Sequence, residues 1–183
     1  MSEIAEEKYQ AELIQSDKDH HAPTAGAMTG HIIANLAIHQ TKLRQAAGYL
    51  KGCKAILLRE TLQTMIAEEV QKLDVINKLM LDEGEVIPTT TAEYQKYTML
   101  DESGQLKYEP AETILQTIVQ DFATQRLFVT RGIALAEKEQ KFGLELFLKE
   151  FDTWCKHQIF LIQTALGREV SAGLEEDEDD DED

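Results

Sequence analysis

Cationic residues are scarce in this chain. Eighteen Lys and Arg stand against 34 Asp and Glu over 183 residues, a net charge of −16. That deficit argues against a broad basic surface for nucleic-acid phosphates. Only three prolines occur, so long helices meet few breakers. The two cysteines, Cys53 and Cys155, lack metal-ligand spacing and suit a reducing, cytoplasmic setting. No apolar run reaches the roughly 18 residues of a membrane span. The polar, acidic start MSEIAEEKYQ reads as neither a signal peptide nor a transit peptide. No Glu-x-x-His pair is present, which removes the strongest helical signal for a di-metal site. Nor is there a Ser-His-Asp order, a Gly-rich phosphate loop or a zinc knuckle.

What is present is helical periodicity. Apolar residues make up 43% of the chain and charged residues 28%, ordinary values for one soluble domain. Met28, Ile32, Leu36, His39, Leu43, Ala46 and Leu50 recur every three or four residues and predict a helix over 24–51. Pro23 precedes it and Gly52 follows it. A second helix is expected over 54–82, with Leu58, Leu62, Met65, Leu73, Ile76 and Met80 inward and Gly84 and Pro88 beyond its end. A third, over 110–138, has Pro110 in its first turn and a stripe from Ile114 to Ile133. A fourth, over 143–167, carries Phe147, Phe151, Trp154, Leu161 and Ala165 and closes at Gly167.

Connection lengths set the topology. The first two long helices join tightly, as do the last two, so each pair is an antiparallel hairpin. Residues 83–109 between the pairs are too many for a turn and enough to travel the length of a bundle. Within them, Thr90 and Glu93 form a capping-box pattern before AEYQKYTML, a short helix midway. The fold class is therefore all-α: a ferritin-like four-helix bundle with one long crossover. The segment EIAEEKYQAELIQ is expected to add an N-terminal helix. The chain divides into a 1–19 extension, a 20–170 bundle and a 171–183 tail, whose nine consecutive acids (175–183) should stay solvated. Without those acids the chain still holds 25 acids against 18 bases.

Three segments together resemble the Dps family (DNA-binding proteins from starved cells), the small ferritin-like cages. They are AGAMTGHIIANLAIHQTKLRQAAGYLKG, LDVINKLMLDEGEVIPTTTAEY and LAEKEQKFGLELFLKEFDTWCKHQIFLIQTALG, and the likeness runs from His20 to Gly167. The resemblance implies a cytoplasmic dodecameric shell serving stress protection through iron oxidation and storage, DNA coating, or both. It also implies a ferroxidase centre between subunits. Members have His-Trp where this chain has Ala47-Gly48, and His-Glu where it has Arg59-Glu60. An acid expected near Gln63 is missing, Asp74 is kept, and a Glu is replaced by Lys78. With one ligand position in five retained, iron(II) oxidation is expected to be weak or absent.

The substitutions have a physical direction. A di-iron site gathers carboxylates and imidazoles around cations, whereas Arg59 and Lys78 bring fixed positive charge. Asp74 and Lys78 stand four apart in the favourable acid-before-base order. Asp74 is therefore expected to pair with Lys78 or Arg59; the alternative is that all three are exposed and unrelated.

The rival reading is an iron-storing mini-ferritin with relocated metal ligands, for which Asp19, His20, His21 and Asp74 are the candidates. The plainer view of His20 and His21 is a polar turn leading into a helix. His31 reads as an interface residue, His39 as a hydrogen-bonded core histidine and His157 as packing. Iron uptake through pores near the last helix would use Glu137, Glu139, Glu145 and Glu150, diluted by Lys138, Lys141 and Lys149. Non-specific DNA contact would fall to Lys8 and Lys18, against six acids in the first twenty residues. A third reading is a structural helical bundle that meets a partner through the acidic tail.

Overall fold

The computed structural model describes residues 2–52 and 55–174, apart from the side chains of Ser16, Asp17, Asp19 and His20. Among them every regular element is helical. The expected acidic tail lies outside the described residues beyond Leu174, as does Cys53.

Helix α1 (Glu3–His21) starts at Ser2, whose hydroxyl accepts from the Ala5 N–H. It is longer than EIAEEKYQAELIQ suggested. No breaker occurs before Pro23, so His20 and His21 end a helix rather than occupying a turn of their own. Helix α2 (Ala25–Tyr49) is capped by Thr24, which accepts from Ala27 N–H at 3.1 Å. After it, Gly52 takes φ 98°, a left-handed value that favours glycine. Helix α3 (Ala55–Asp82) follows at once and stops before Gly84.

The short helix α4 (Thr91–Tyr97) forms with both halves of its capping box. A single 3-10 turn (Leu106–Tyr108) leads to α5 (Ala111–Lys138), with Pro110 at its cap. Helix α6 (Phe142–Leu166) closes with Gly167 in the left-handed region. No helix among the described residues is long and apolar enough to cross a membrane.

Helix α2 is the most enclosed, packing on α3, α5 and α4, while α6 closes the bundle against α5 and α3. The expected stripes do meet: Ile32, Leu36, Leu43, Leu62, Met65, Ile76, Ile118, Phe122, Leu148 and Phe151 form one buried core. Full burial of each such side chain contributes roughly 1.5–3 kcal/mol. Trp154 sits at the edge of this core, edge-on to Phe122 and stacked on Phe151, and its indole N–H donates to Glu68 at 2.6 Å.

The crossover is pinned along one face of α2, by side chains spaced four and seven apart. His31 Nδ1 donates to the Tyr97 carbonyl at 2.7 Å. Asn35 Oδ1 accepts from Met99 N–H at 2.7 Å and from the Thr98 hydroxyl at 3.0 Å. Lys42 Nζ donates to the Asp101 carbonyl at 2.5 Å. His31 is thus a docking residue within the subunit, held between Tyr97 and Phe128.

Candidate functional site

Positions 47 and 59 are brought together at the end of α2. Ala47 is buried among the core apolar residues. Arg59, half-buried near the start of α3, donates from Nε to the Ala47 carbonyl at 2.6 Å and from Nη2 to the Leu50 carbonyl at 3.1 Å. The last carbonyls of a helix lack intrahelical partners and lie at the negative end of its dipole. A guanidinium, with donors in a fixed fork, satisfies two of them at once.

The expected pairing of Asp74 within the subunit is not formed. Asp74 and Lys78 are both exposed and share no ion pair, and Arg59 is engaged elsewhere. Fifteen residues separate Arg59 from Asp74 on one helix, about 22 Å along its axis. For Asp74 and Lys78, hydration of both charges competes with an exposed pair worth under about 1 kcal/mol. Gln63 and Glu60 also face solvent.

These residues do not fit iron. They offer a methyl group, a guanidinium, an amide, one carboxylate and an ammonium, and two of the five carry fixed positive charge. Among the described residues no group of three or more His, Cys, Asp or Glu side chains is arranged to hold a metal ion.

The other candidates scatter. His21 ends α1 with an exposed side chain, while the side chains of Asp19 and His20 lie outside the described residues. Lys8 and Lys18 are exposed on α1, as are Glu3, Glu6 and Glu7. Of the four acids near the start of α6, Glu137 and Glu150 are exposed and the other two are spoken for. Glu145 pairs with Lys149, and Lys141 bridges Glu85 and Glu139. Glu139 also accepts from Ala25 N–H at 2.8 Å. His157 is exposed and stacks on Phe160.

A second cluster, which the sequence reading passed over, lies in the middle of the bundle. His39 on α2 is fully buried and hydrogen-bonded, as expected of a core histidine. Its Nδ1 lies 2.6 Å from Glu69 Oε1 on α3, and its Nε2 lies 3.9 Å from Asp121 Oδ2 on α5. Lys42 Nζ donates to Asp121 Oδ1 at 2.8 Å. Glu69 is 0% exposed and Asp121 is 6% exposed.

Burial pushes the Glu69 carboxyl up, opposed by His39, and pushes Asp121 up, opposed by His39 and Lys42. Burial also pushes the Cys155 thiol on α6 well up, with the Glu69 carboxylate adding to it. A sequence signal did exist. Glu69 fills the gap between Met65 and Leu73 in the inward stripe of α3, and Asp121 precedes Phe122 on that of α5. An acid on an apolar stripe, at a level where another helix presents a histidine, marks a buried pair.

Known proteins agree with this architecture. The family model of the ferritin-like domain matches residues 30–168. The crystal structure of the DpsB protein of Lactococcus lactis MG1363 is 38% identical, with a TM-score of 0.88 over 92% of this chain and 98% of that one. The DpsA protein of the same organism is 33% identical, with a TM-score of 0.85 over 91% and 98%. A Dps mutant from Listeria innocua, 20% identical with a TM-score of 0.77 over 80% and 96%, shares the fold. No curated protein sequence matches.

Proposed function

Because this chain belongs to the Dps family of ferritin-like proteins, we propose that it is a dodecameric, DNA-associated cage protein of stress protection whose inter-subunit ferroxidase centre is degenerate. The observation that carries the last point is the Arg59 contact. Arg59 is tied to the carbonyls of Ala47 and Leu50, and the resemblance to the family puts imidazole ligands at positions 47 and 59, which supports this reading. Arg cannot shed its proton to become a ligand, and a divalent ion beside it would meet repulsion at close range.

Protection without iron chemistry leaves shielding as the function. DNA contact is assigned to α1, which is exposed along most of its length and carries Lys8 and Lys18. Each such contact is weak beside the acids of the same helix, and twelve copies multiply weak contacts through effective concentration. Binding of this kind is steeply salt-dependent.

The test runs three measurements on one preparation. Light scattering reads the assembly, absorbance follows iron(II) oxidation, and a gel shift at low salt, with and without magnesium, reads DNA association. The proposal expects a cage, oxidation no faster than the buffer background, and a shift. Fast oxidation would favour relocated ligands instead, and a monomer would defeat the cage.

A further inference from the structure

Two hydrogen-bond acceptors oppose each other in the dry centre of the bundle. With the Nδ1–H of His39 given to Glu69 at 2.6 Å, Nε2 of the neutral ring holds only a lone pair. It lies 3.9 Å from the carboxylate oxygen Asp121 Oδ2, and both atoms are buried without a hydrogen-bond partner. Nor do the buried charges cancel: of the two carboxylates only Asp121 is paired with an ammonium, that of Lys42, while Glu69 has the longer-range field of the exposed Arg44. An excess negative charge and two unsatisfied acceptors in a low-dielectric core are each costly.

One proton removes both costs. On either atom it supplies the missing donor and brings the cluster to neutrality. We propose that the core of this subunit holds a single titratable proton between His39 Nε2 and Asp121 Oδ2, an acid–base site reached from solvent along Lys42. A cleft of about 290 Å³ between α2 and the crossover, lined by Thr41, Lys42, Gln45, Glu102 and Ser103, leads to that lysine.

The charged and titratable groups around the gap come from every packed element. They are His39, Lys42 and Arg44 from α2, Glu69 from α3, Asp101 from the crossover, Asp121 from α5 and Cys155 from α6. The upward shifts of Glu69 and Asp121 agree with a site that retains a proton. A divalent ion is the competing occupant. The Lys42 ammonium 2.8 Å from Asp121 Oδ1 and the lack of a third ligand side chain both disfavour it.

The experiment counts protons. Heat unfolding of the intact protein near pH 8, in two buffers of different ionisation enthalpy, gives the number released per chain. At that pH the histidine and both acids are unprotonated in the unfolded chain. Wild type should release about one proton more than Asp121→Asn, and its unfolding constant should rise about tenfold more per pH unit.

Glu69→Gln removes the excess negative charge while keeping an acceptor for His39 Nδ1. It should lose the same proton, and it decides the matter if Asp121→Asn does not fold. Equal proton counts in wild type and the folded variants would overturn the proposal. So would one Mn²⁺ bound per chain in equilibrium dialysis of wild type and lost in the variant, which would give the gap to a metal.

Discussion

The Nε–H of Arg59 on α3 donates to the carbonyl oxygen of Ala47 on α2 at 2.6 Å. Two positions that the proposed reading assigns to a degenerate ferroxidase centre are bound directly to each other. The guanidinium stitches the α2–α3 hairpin shut at the carbonyl end of α2.

Arg59→Ala should therefore act on the fold rather than on iron. Loss of two charge-assisted bonds to the helix end should cost about 1.5–3 kcal/mol, read as a lowered denaturant midpoint with an unchanged m-value. Arg59→Lys should recover only part of it, since an ammonium lacks the planar fork. Iron(II) oxidation should stay at background in both variants. An Arg59→Ala variant as stable as wild type would show that solvent satisfies those carbonyls equally well.

Lys42→Met removes the cation that Asp121 and the Asp101 carbonyl share. A buried carboxylate left without its partner costs about 3–5 kcal/mol. The loss should be largest near pH 8. Burial raises the Asp121 carboxyl above 3.8, so its contribution is fully present below that value and is lost as pH rises through the folded one. Unfolding curves at pH 5 and pH 8 should show the Lys42→Met deficit shrinking in acid; a deficit that grows in acid would contradict the raised Asp121.

Asn35→Ala should loosen the crossover without disturbing the helices. Its Oδ1 is the acceptor for Met99 N–H and the Thr98 hydroxyl. Leaving that amide unpaired costs about 1–3 kcal/mol. Hydrogen exchange should speed up at Met99 and its neighbours while the amides of α5 keep their protection; uniform acceleration would mean that the crossover and the bundle open together.

Cys155 should be silent in the native protein. It is fully buried, and its thiol is held well above the ordinary value, so the reactive thiolate is scarce. Alkylation with iodoacetamide, read by mass spectrometry on the Cys155 peptide, should be negligible at neutral pH and complete in denaturant. Prompt labelling of the native protein would show that α6 opens locally.

The sequence alone determined the helices, their stops and their order. A 3.6-residue stripe admits one face to a core, and Gly52, Gly84 and Gly167 end helices because glycine enters the left-handed region freely. The crossover helix was equally legible, since the Thr90–Glu93 capping box is a local arrangement of side chain and backbone.

Tertiary structure alone decided what the charged residues do. The sequence leaves open whether Asp74 pairs with Lys78, with Arg59 or with neither; Arg59 meets two carbonyls, because which helix end lies within reach depends on how α3 turns back on α2. His39, Lys42, Glu69 and Asp121 are spread over more than eighty residues, and each taken singly reads as a core histidine or a surface charge. They become one site only because α2, α3 and α5 bring them to the same level of the bundle. There burial makes an unpaired charge costly, so that each group's state depends on the others.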